Sequence, residues 1–306
     1  TSDPADSDIT VSGGALSSFS GSGSFYTATF TPTADGLTTV DVASGGFADA
    51  AGNTNTAATQ FSWTFNGTPA TITGVSLASD NSTIAVTLDE PVYNAAGGSG
   101  ALEASDFVFA ISGGMATLSS TTPTSISASG NVYTLGIGLS GTPTGGETLT
   151  VNPASNSIYD AYSNISTISQ SNNTVTVNDK TPPTITMAVA DSDGNSLSSG
   201  STTNDASLSF TFTISEATTN FASNDVTLSG GTISSFSATS STVYTATFTP
   251  SADGATTVDV GASVFTDAGG NGNTAAAQYT WTYDGTPSII SSVSLASDNS
   301  TIAVTM

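Results

Sequence analysis

The chain has 306 residues, and its 24 acidic residues against a single cation, Lys180, give a formal net charge of −23. Neutralising phosphate groups requires lysine and arginine, so this balance excludes nucleic acid as a partner and argues against binding to an anionic membrane surface. The sequence has no cysteine and no histidine, which excludes disulfides and thiolate or imidazole metal sites.

Two segments of the chain occur twice. The sequence SLASDNSTIAVT stands at 76–87 and again at 294–305. The longer segment Phe47–Pro69 returns in similar form at Phe265–Pro287, an offset of 218 residues (265 minus 47). Solenoid repeats run to about 20–50 residues, so a period of this length must hold more than one domain. The repeats therefore indicate a tandem array.

Three short proline-containing segments, at 66–69, 179–183 and 284–287, each lie between two strand-like runs. Proline fixes its own φ and restricts the residue before it, so these segments are predicted to be stiff linkers. They divide the chain into a partial domain at 1–68 that lacks its first strands, complete domains at 69–181 and 182–286, and the opening strands of another domain at 287–306.

Period-2 alternation of apolar and polar residues occurs along the chain, and helical periodicity does not. In 69–181 the predicted strands include Thr83–Leu88, Asp106–Ile111, Val132–Leu139, Glu147–Val151 and Asn173–Val177. In 182–286 seven strands are predicted near 184–189, 207–214, 225–229, 232–238, 242–249, 256–260 and 278–283. Seven short antiparallel strands in about 100 residues indicate an immunoglobulin-like sandwich. We predict an all-β chain of tandem immunoglobulin-like Greek-key β-sandwiches in an elongated array.

Acidic residues recur at matching positions in these domains. The pattern Asp-Ala-x-x-Asn begins at Asp49, Asp160 and Asp267. A glutamate follows an early strand in each complete domain, at Glu90 and Glu216, and an aspartate opens a later strand at Asp8, Asp106 and Asp225. Because strands alternate in direction, the second and sixth strands end at the pole where the domain begins, beside the incoming linker.

This topology predicts two clusters of oxygen ligands, the donors that Ca²⁺ prefers. One contains Asp179, Glu216, Asp267 and Asn271, with Asp225 as a further member. The other contains Asn66, Glu90, Asp160 and Asn164. The alternative for the Asp-Ala-x-x-Asn loops is that Asp and Asn only close a turn by bonding their own backbone.

The segment 191–195, Asp-Ser-Asp-Gly-Asn, has the alternating acids of a calcium loop, which makes Asp191 and Asp193 further candidate ligands. It lacks the glutamate that completes an EF-hand, and no helix is predicted beside it. An exposed turn is the alternative.

Catalytic groups are scarce. Without histidine, cysteine or arginine, and with its one lysine beside a linker, the chain cannot activate a nucleophile through Ser-His, Cys-His or lysine pairs. The acids lie in turns and linkers, and tandem small sandwiches offer no cleft for a glycosidase pair. We therefore expect no enzyme activity. Trp63 and Trp281, at matching positions in the last strand of their domains, are predicted to be core residues.

The run from Asp179 to Pro287 resembles the bacterial immunoglobulin-like (Big) repeats of giant secreted surface proteins and biofilm adhesins. The matching motifs are Thr-Pro-Pro-Thr-Ile, a strand ending in Ser-Glu, Asn-Asp-Val-Thr-Leu-Ser-Gly-Gly, Phe-Thr-Pro-Ser-Ala-Asp-Gly and Phe-Thr-Asp-Ala-Gly-Gly-Asn. A second copy spans Asp8–Pro69, and the middle domain matches more loosely. The resemblance implies a surface-exposed stalk and, in some members, structural Ca²⁺ at domain borders, which supports Asp179, Glu216, Asp267 and Asn271.

The expected role is a structural stalk or fibre segment of a large, adhesin-like bacterial surface protein, located outside the cell. Its expected partners are neighbouring copies of the repeat and cell-surface or matrix components. No stretch is long and apolar enough to insert into a membrane, so an export signal or anchor is expected outside these 306 residues. The alternatives are a filament subunit that donates strands between chains, a glycan-binding module, and an accessory array of a secreted enzyme.

Overall fold

The computed structural model describes residues 3–297 and 299–306. Thr1, Ser2 and Asp298, which belong to the first and last predicted domains, lie outside the described residues. Strands dominate the secondary structure, and the helices are short 3-10 turns at Asp6–Asp8, Ala104–Asp106 and Ser223–Asp225. None of these described helices has the length and apolar character needed to cross a bilayer. The predicted all-β fold is confirmed.

The chain packs into two compact units. The first contains the chain up to Gly141 together with Gly146–Val177, and the second contains Thr142–Gly145 together with the chain from Asn178 onward. The finer division at residues 68, 181 and 286 stays a prediction.

The first unit begins with two small sheets. Strands β1 and β4–β5 form one of them in the order β1-β4-β5, and the hairpin β2-β3 forms the other. Their bounds are β1 Ile9–Ser12, β2 Gly14–Ser22, β3 Phe25–Pro32, β4 Gly36–Val42 and β5 Phe61–Phe65.

The rest of the first unit has sheets in the orders β10-β11-β7-β6 and β14-β13-β8, together with the short pair β12-β9. The bounds are β6 Ile72–Leu77, β7 Thr83–Leu88, β8 Phe107–Ser112, β9 Thr117–Leu118, β10 Ile126–Ser129, β11 Val132–Gly136, β12 Leu139–Ser140, β13 Thr148–Pro153 and β14 Thr174–Thr176.

The second unit is built on a five-stranded sheet, β16-β15-β18-β21-β20, and a four-stranded sheet, β17-β23-β22-β19, followed by the hairpin β24-β25. All of its pairings are antiparallel except that of β17 with β23. The bounds are β15 Ile185–Ala190, β16 Ser196–Leu197, β17 Thr202–Thr203, β18 Leu208–Ile214, β19 Val226–Ser229, β20 Gly231–Ala238, β21 Val243–Pro250, β22 Gly254–Val260, β23 Tyr279–Tyr283, β24 Ser292–Leu295 and β25 Ile302–Thr305.

The alternating sequence of these strands explains how the second unit folds. In β18 the apolar residues from Leu208 to Ile214 are buried and the intervening Ser and Thr face outward or are half-buried. Side chains from β18, β21, β22 and β23 meet in one core between the two main sheets. Trp281 is 2% exposed and packs edge-to-face on Phe248 at 4.7 Å. Burying each large apolar side chain stabilises the fold by about 1.5–3 kcal/mol.

All seven strands predicted for 182–286 are present, and the structure adds the two-residue strands β16 and β17. A two-residue strand is too short to show alternation, so the sequence gives no signal for it. Trp281 is a core residue, as predicted, whereas Trp63 is half-buried. The Trp281 Nε1 group is buried without a hydrogen-bond partner among the described residues.

Candidate metal centre

Three carboxylates meet at the start of the second unit. One oxygen from each of Asp179, Glu216 and Asp267 lies within 4.8 Å of the others. Asp267 is 8% exposed, and Asp179 and Glu216 are half-buried. Three convergent acids among partly buried surroundings offer the hard oxygen ligands that Ca²⁺ uses.

The fold brings these acids together through the end of β18. Ser215 donates its backbone N–H to the Thr184 carbonyl, and its hydroxyl accepts the Thr184 N–H, which holds the residue before Glu216 against the linker. Two residues after Glu216, Thr218 forms an isolated β-bridge with Asp267. The glutamate therefore lies between the linker that carries Asp179 and the loop that carries Asp267.

Asn271 completes the loop side of this centre. Its side-chain N–H donates to Asp267 Oδ2 at 3.0 Å, and its backbone N–H donates to Asp267 Oδ1 at 2.9 Å. A Cβ at Gly269 would lie 3.1 Å from the Asp179 Cβ, so glycine at this position lets the linker approach the loop closely. The predicted group of Asp179, Glu216, Asp267 and Asn271 is thus assembled in the structure.

Burial, the nearby charges of Asp179 and Asp267 and a hydrogen bond with Asp179 raise the pKa of Glu216 above its ordinary value. Burial is the largest cause, because it disfavours the charged form of the carboxyl group, and the like charges add to its effect. A divalent cation would remove this repulsion, and so would a proton. The chemistry of the centre therefore favours uptake of either a divalent cation or a proton.

In the second predicted group, hydrogen bonds bring Asn66, Asp160 and Asn164 together. Asn164 donates its side-chain N–H to the Asn66 carbonyl at 2.9 Å and to Asp160 Oδ2 at 2.7 Å. Burial and then the charges of Asp160, Asp89 and Asp35 raise the pKa of Glu90. Asn66 occupies the linker position that Asp179 has in the first group. An amide replaces a carboxylate there, so the second group carries less negative charge.

The remaining candidates close turns. Asp191 Oδ1 accepts the backbone N–H groups of Asp193 and Asn195, and the Asp193 side chain is exposed. Asp225 Oδ2 accepts the Ala222 N–H at the start of a 3-10 turn, a bond that Asp8 and Asp106 repeat with the residues three positions before them. The structure does not place Asp225 in the group of three carboxylates.

The Asp-Ala-x-x-Asn loops share one hydrogen-bond pattern. In each, the aspartate accepts the backbone N–H and the side-chain N–H of the asparagine four residues later, as seen for Asp49, Asp160 and Asp267. Turn closure is therefore present in all three copies, and a cation at any of them stays a prediction.

The amino-acid sequence matches the model of one protein family. The model described as "Bacterial Ig-like domain" matches residues 2–66 and 179–283, more than half of the chain. The chain belongs to the bacterial Ig-like domain family. The two matched stretches correspond to the two copies identified from the sequence repeat. The predicted resemblance to bacterial immunoglobulin-like repeats is confirmed. No curated protein matches the sequence.

Two solved structures are similar to this bacterial Ig-like chain. The crystal structure of invasin, a bacterial integrin-binding protein, matches with 16% identity and a TM-score of 0.37 over 89% of this chain and 50% of invasin. SGBP-B of the Bacteroides ovatus mixed-linkage glucan utilization locus, solved with a heptasaccharide, matches with 16% identity and a TM-score of 0.21 over 84% of this chain and 56% of SGBP-B. The Ig-like chain spans about half the length of each.

Two kinds of polar residue in the Ig-like units are absent from the sequence-based candidates. Glu147 is fully buried, and its Oε1 accepts the backbone N–H groups of Met115 and Ala116 at 2.7 and 2.9 Å. Asp35 and Asp253 bind the linkers that follow their domains. The repetition of Thr-Ala-Asp-Gly and Ser-Ala-Asp-Gly in the two copies was the available signal for these aspartates.

Proposed function

We propose that this chain is a structural segment of an adhesin-like bacterial surface protein, in which successive Ig-like sandwiches space a binding region from its anchor. The observation that carries the proposal is the recurrence of one Ig-like domain type at residues 2–66 and 179–283. Repeating a folded domain along a chain lengthens the protein, and the repetition itself adds no new kind of functional group.

Charge and composition support a non-catalytic, extracellular role. The chain has one cation, no histidine and no cysteine, so hydroxyls, amides and carboxylates are its main functional groups. The large negative charge keeps such a segment soluble and favours separation of neighbouring copies. We propose cell-surface or matrix components as the surroundings of the whole protein.

Surface display tests this role. The chain is placed between an outer-membrane anchor and an epitope-tagged binding head, and binding of the head to immobilised ligand is measured together with the height of the epitope above the cell. We expect deletion of residues 182–286 to lower both, and replacement of that stretch by an unrelated Ig-like domain to restore them. Intrinsic binding of the isolated chain to a glycan array, with no effect of the deletion on reach, would instead favour a glycan-binding module.

We further propose that Ca²⁺ occupies the Asp179–Glu216–Asp267 centre and stiffens the linker at this position. Support comes from the approach of three acids within 4.8 Å, the burial of Asp267 and the raised pKa of Glu216. Bound Ca²⁺ would hold the linker acid to the loop and strand-end acids, which belong to one domain.

The test is thermal unfolding and titration calorimetry of the full chain with Ca²⁺, with Mg²⁺ and with chelator. We expect Ca²⁺ to raise the Tm of the second unit and Asp267→Asn to remove the response. Asp259→Asn, which changes an acid of β22 in the same unit that is not among the candidate ligands, is the matched control and should keep it. An unchanged Tm at millimolar Ca²⁺ would contradict the proposal.

A further inference from the structure

The last strand of the first Ig-like copy is tied to the linker that follows it. Gly67 donates its backbone N–H to Asp35 Oδ1 at 2.7 Å. The Thr68 hydroxyl donates to the other oxygen, Asp35 Oδ2. Both oxygens of one carboxylate thus hold the two residues before Pro69.

The same arrangement occurs in the second copy. Gly285 donates its N–H to Asp253 Oδ1 at 2.7 Å, and the Thr286 hydroxyl donates to Asp253 Oδ2. We call each set of Asp, Gly and Thr (Asp35, Gly67 and Thr68; Asp253, Gly285 and Thr286) an exit clamp. Both copies of this domain type have the same geometry at this position.

Strand pairing explains how the aspartate reaches the linker. Gly36 begins β4 and pairs with Phe65, the last residue of β5, and Gly254 pairs with Tyr283 in the same way. The aspartate precedes this glycine, so its side chain extends the ladder past the end of the last strand. Gly36 and Gly254 have φ of 135° and 133°, a conformation that side-chain-bearing residues rarely adopt.

The linker glycine lies close to the aromatic residue that ends the strand before it. A Cβ at Gly67 would lie 2.9 Å from the Phe65 ring, and one at Gly285 would lie 2.4 Å from the Tyr283 hydroxyl oxygen. The aromatic residue that ends the strand therefore packs over the glycine of the clamp. One structural motif therefore contains the Asp-Gly pair, the aromatic residue that ends the strand and the Gly-Thr-Pro linker.

The intervening linker lacks this motif. The sequence aligns Gly146 with Asp253, and Lys180 stands where the other linkers have glycine. There the Lys180 N–H and the Thr181 hydroxyl both donate to the Pro143 carbonyl, each at 2.9 Å. This domain thus has neither the aspartate nor the linker glycine, and a backbone carbonyl holds its linker instead.

We propose that Asp35 and Asp253 are positioning residues whose exit clamps carry tensile load from the linker into the strand before it, so that β5 and β23 do not peel away from their sheets. This inference rests on the proposed spacer role. A force applied through Pro287 reaches the Asp253 carboxylate before it reaches the backbone bonds between β22 and β23. Without the clamp, the terminal pair of Gly254 and Tyr283 is loaded first.

The experiment uses the full chain with Asp253→Ala, Thr286→Val and Thr286→Ser, and with Asp193→Ala as the control at an exposed acid of the same unit. Amide hydrogen exchange is measured for Gly285 and for β23, and the unfolding force is measured by pulling the chain from its ends. Asp253→Ala should speed exchange at Gly285 on the order of fivefold, the effect of losing a single hydrogen bond, whereas Thr286→Val keeps the Gly285 bond to Asp253 Oδ1 and should speed exchange there less. Both should lower the force needed to unfold the second unit. Thr286→Ser keeps the hydroxyl and should behave as the unmodified chain.

Unchanged exchange at Gly285 in Asp253→Ala would overturn the exit clamp itself. Faster exchange with an unchanged unfolding force would overturn its load-bearing role. Neither result depends on surface display, so failure of the spacer function and failure of the clamp are separately visible. A fall in unfolding force in Asp193→Ala equal to that in Asp253→Ala would also refute the inference, because it would show a general charge effect.

Discussion

Replacing Glu216 with glutamine should make the second unit more stable when no cation is present. In the folded protein its carboxylate lies within 4.8 Å of those of Asp179 and Asp267. The pKa of Glu216 is raised by burial and by these charges, so the folded state holds the ionised form less favourably than the unfolded state does. Glutamine keeps the shape and removes one charge.

Coulomb's law sets the magnitude. Two charges 4.8 Å apart repel by about 1 kcal/mol in water and about 3.5 kcal/mol at an effective dielectric constant near 20. Asp179 and Glu216 are half-buried, and solvent screening moves the value to the lower end. We expect Glu216→Gln to raise the free energy of unfolding by about 1 kcal/mol and the Tm by about 4 °C at low salt and neutral pH.

The pH dependence has a definite sign. Because the folded pKa of Glu216 is raised, the unmodified chain should gain stability as the pH falls from neutral through that pKa, and the gain should end below the unfolded pKa. Glu216→Gln should lack this gain. Addition of Ca²⁺ should reverse the order, because only the unmodified chain has the third carboxylate and binding stabilises the folded state by mass action.

The assay is thermal unfolding at low ionic strength, with chelator and with Ca²⁺, followed by Trp281 fluorescence. Asp259→Asn is the matched control, because it removes one charge of the same unit outside the candidate ligands and should change the Tm little. If Glu216→Gln were no more stable than the unmodified chain in chelator, the reasoning from carboxylate repulsion would be refuted.

Three further changes test the packing and the clamp. Glu147→Ala leaves the buried Ala116 N–H without its acceptor and should cost about 2–4 kcal/mol in urea unfolding, whereas Glu147→Gln should keep most of the stability. Phe210→Ala removes a buried ring from the second core and should cost about 3–5 kcal/mol, seen as a lower urea midpoint. The Thr286 and Gly285 hydrogen bonds lower the pKa of Asp253, so protection of the Gly285 amide, taken relative to Asp253→Ala, should persist at pH 5 and be lost only below the ordinary aspartate range near about 3.9. Loss of that protection at a higher pH would contradict the assignment.

The sequence carries most of the information for the strands. Alternation in Leu208–Ile214 predicts a strand with one buried face, and the structure buries that face. Alternation has no meaning over two residues, so β16 and β17 could not be found in this way. Their pairing depends on neighbours far along the chain, such as the parallel contact of Thr202 with Thr282.

The candidate site shows a similar division. Strand direction alone predicts that Glu216, Asp267 and the Asp179 linker meet at one pole, and they do. Asp225 is predicted at the same pole, but its carboxylate accepts a hydrogen bond from the backbone N–H of Ala222. Strand direction alone cannot predict this local hydrogen bond. The sequence does not single out Glu147, because a glutamate at the start of a predicted strand has the same pattern whether it is solvated or, as here, fully buried.

The two indole rings give this chain a built-in optical reporter for each unit. Trp281 is buried in an apolar core and its N–H has no hydrogen-bond partner among the described residues, so its emission should be shifted to the blue. Trp63 is half-buried, and its contact with water should shift its emission to the red. Emission spectra of the intact protein recorded during heating can therefore follow the two units separately, without dyes or added labels.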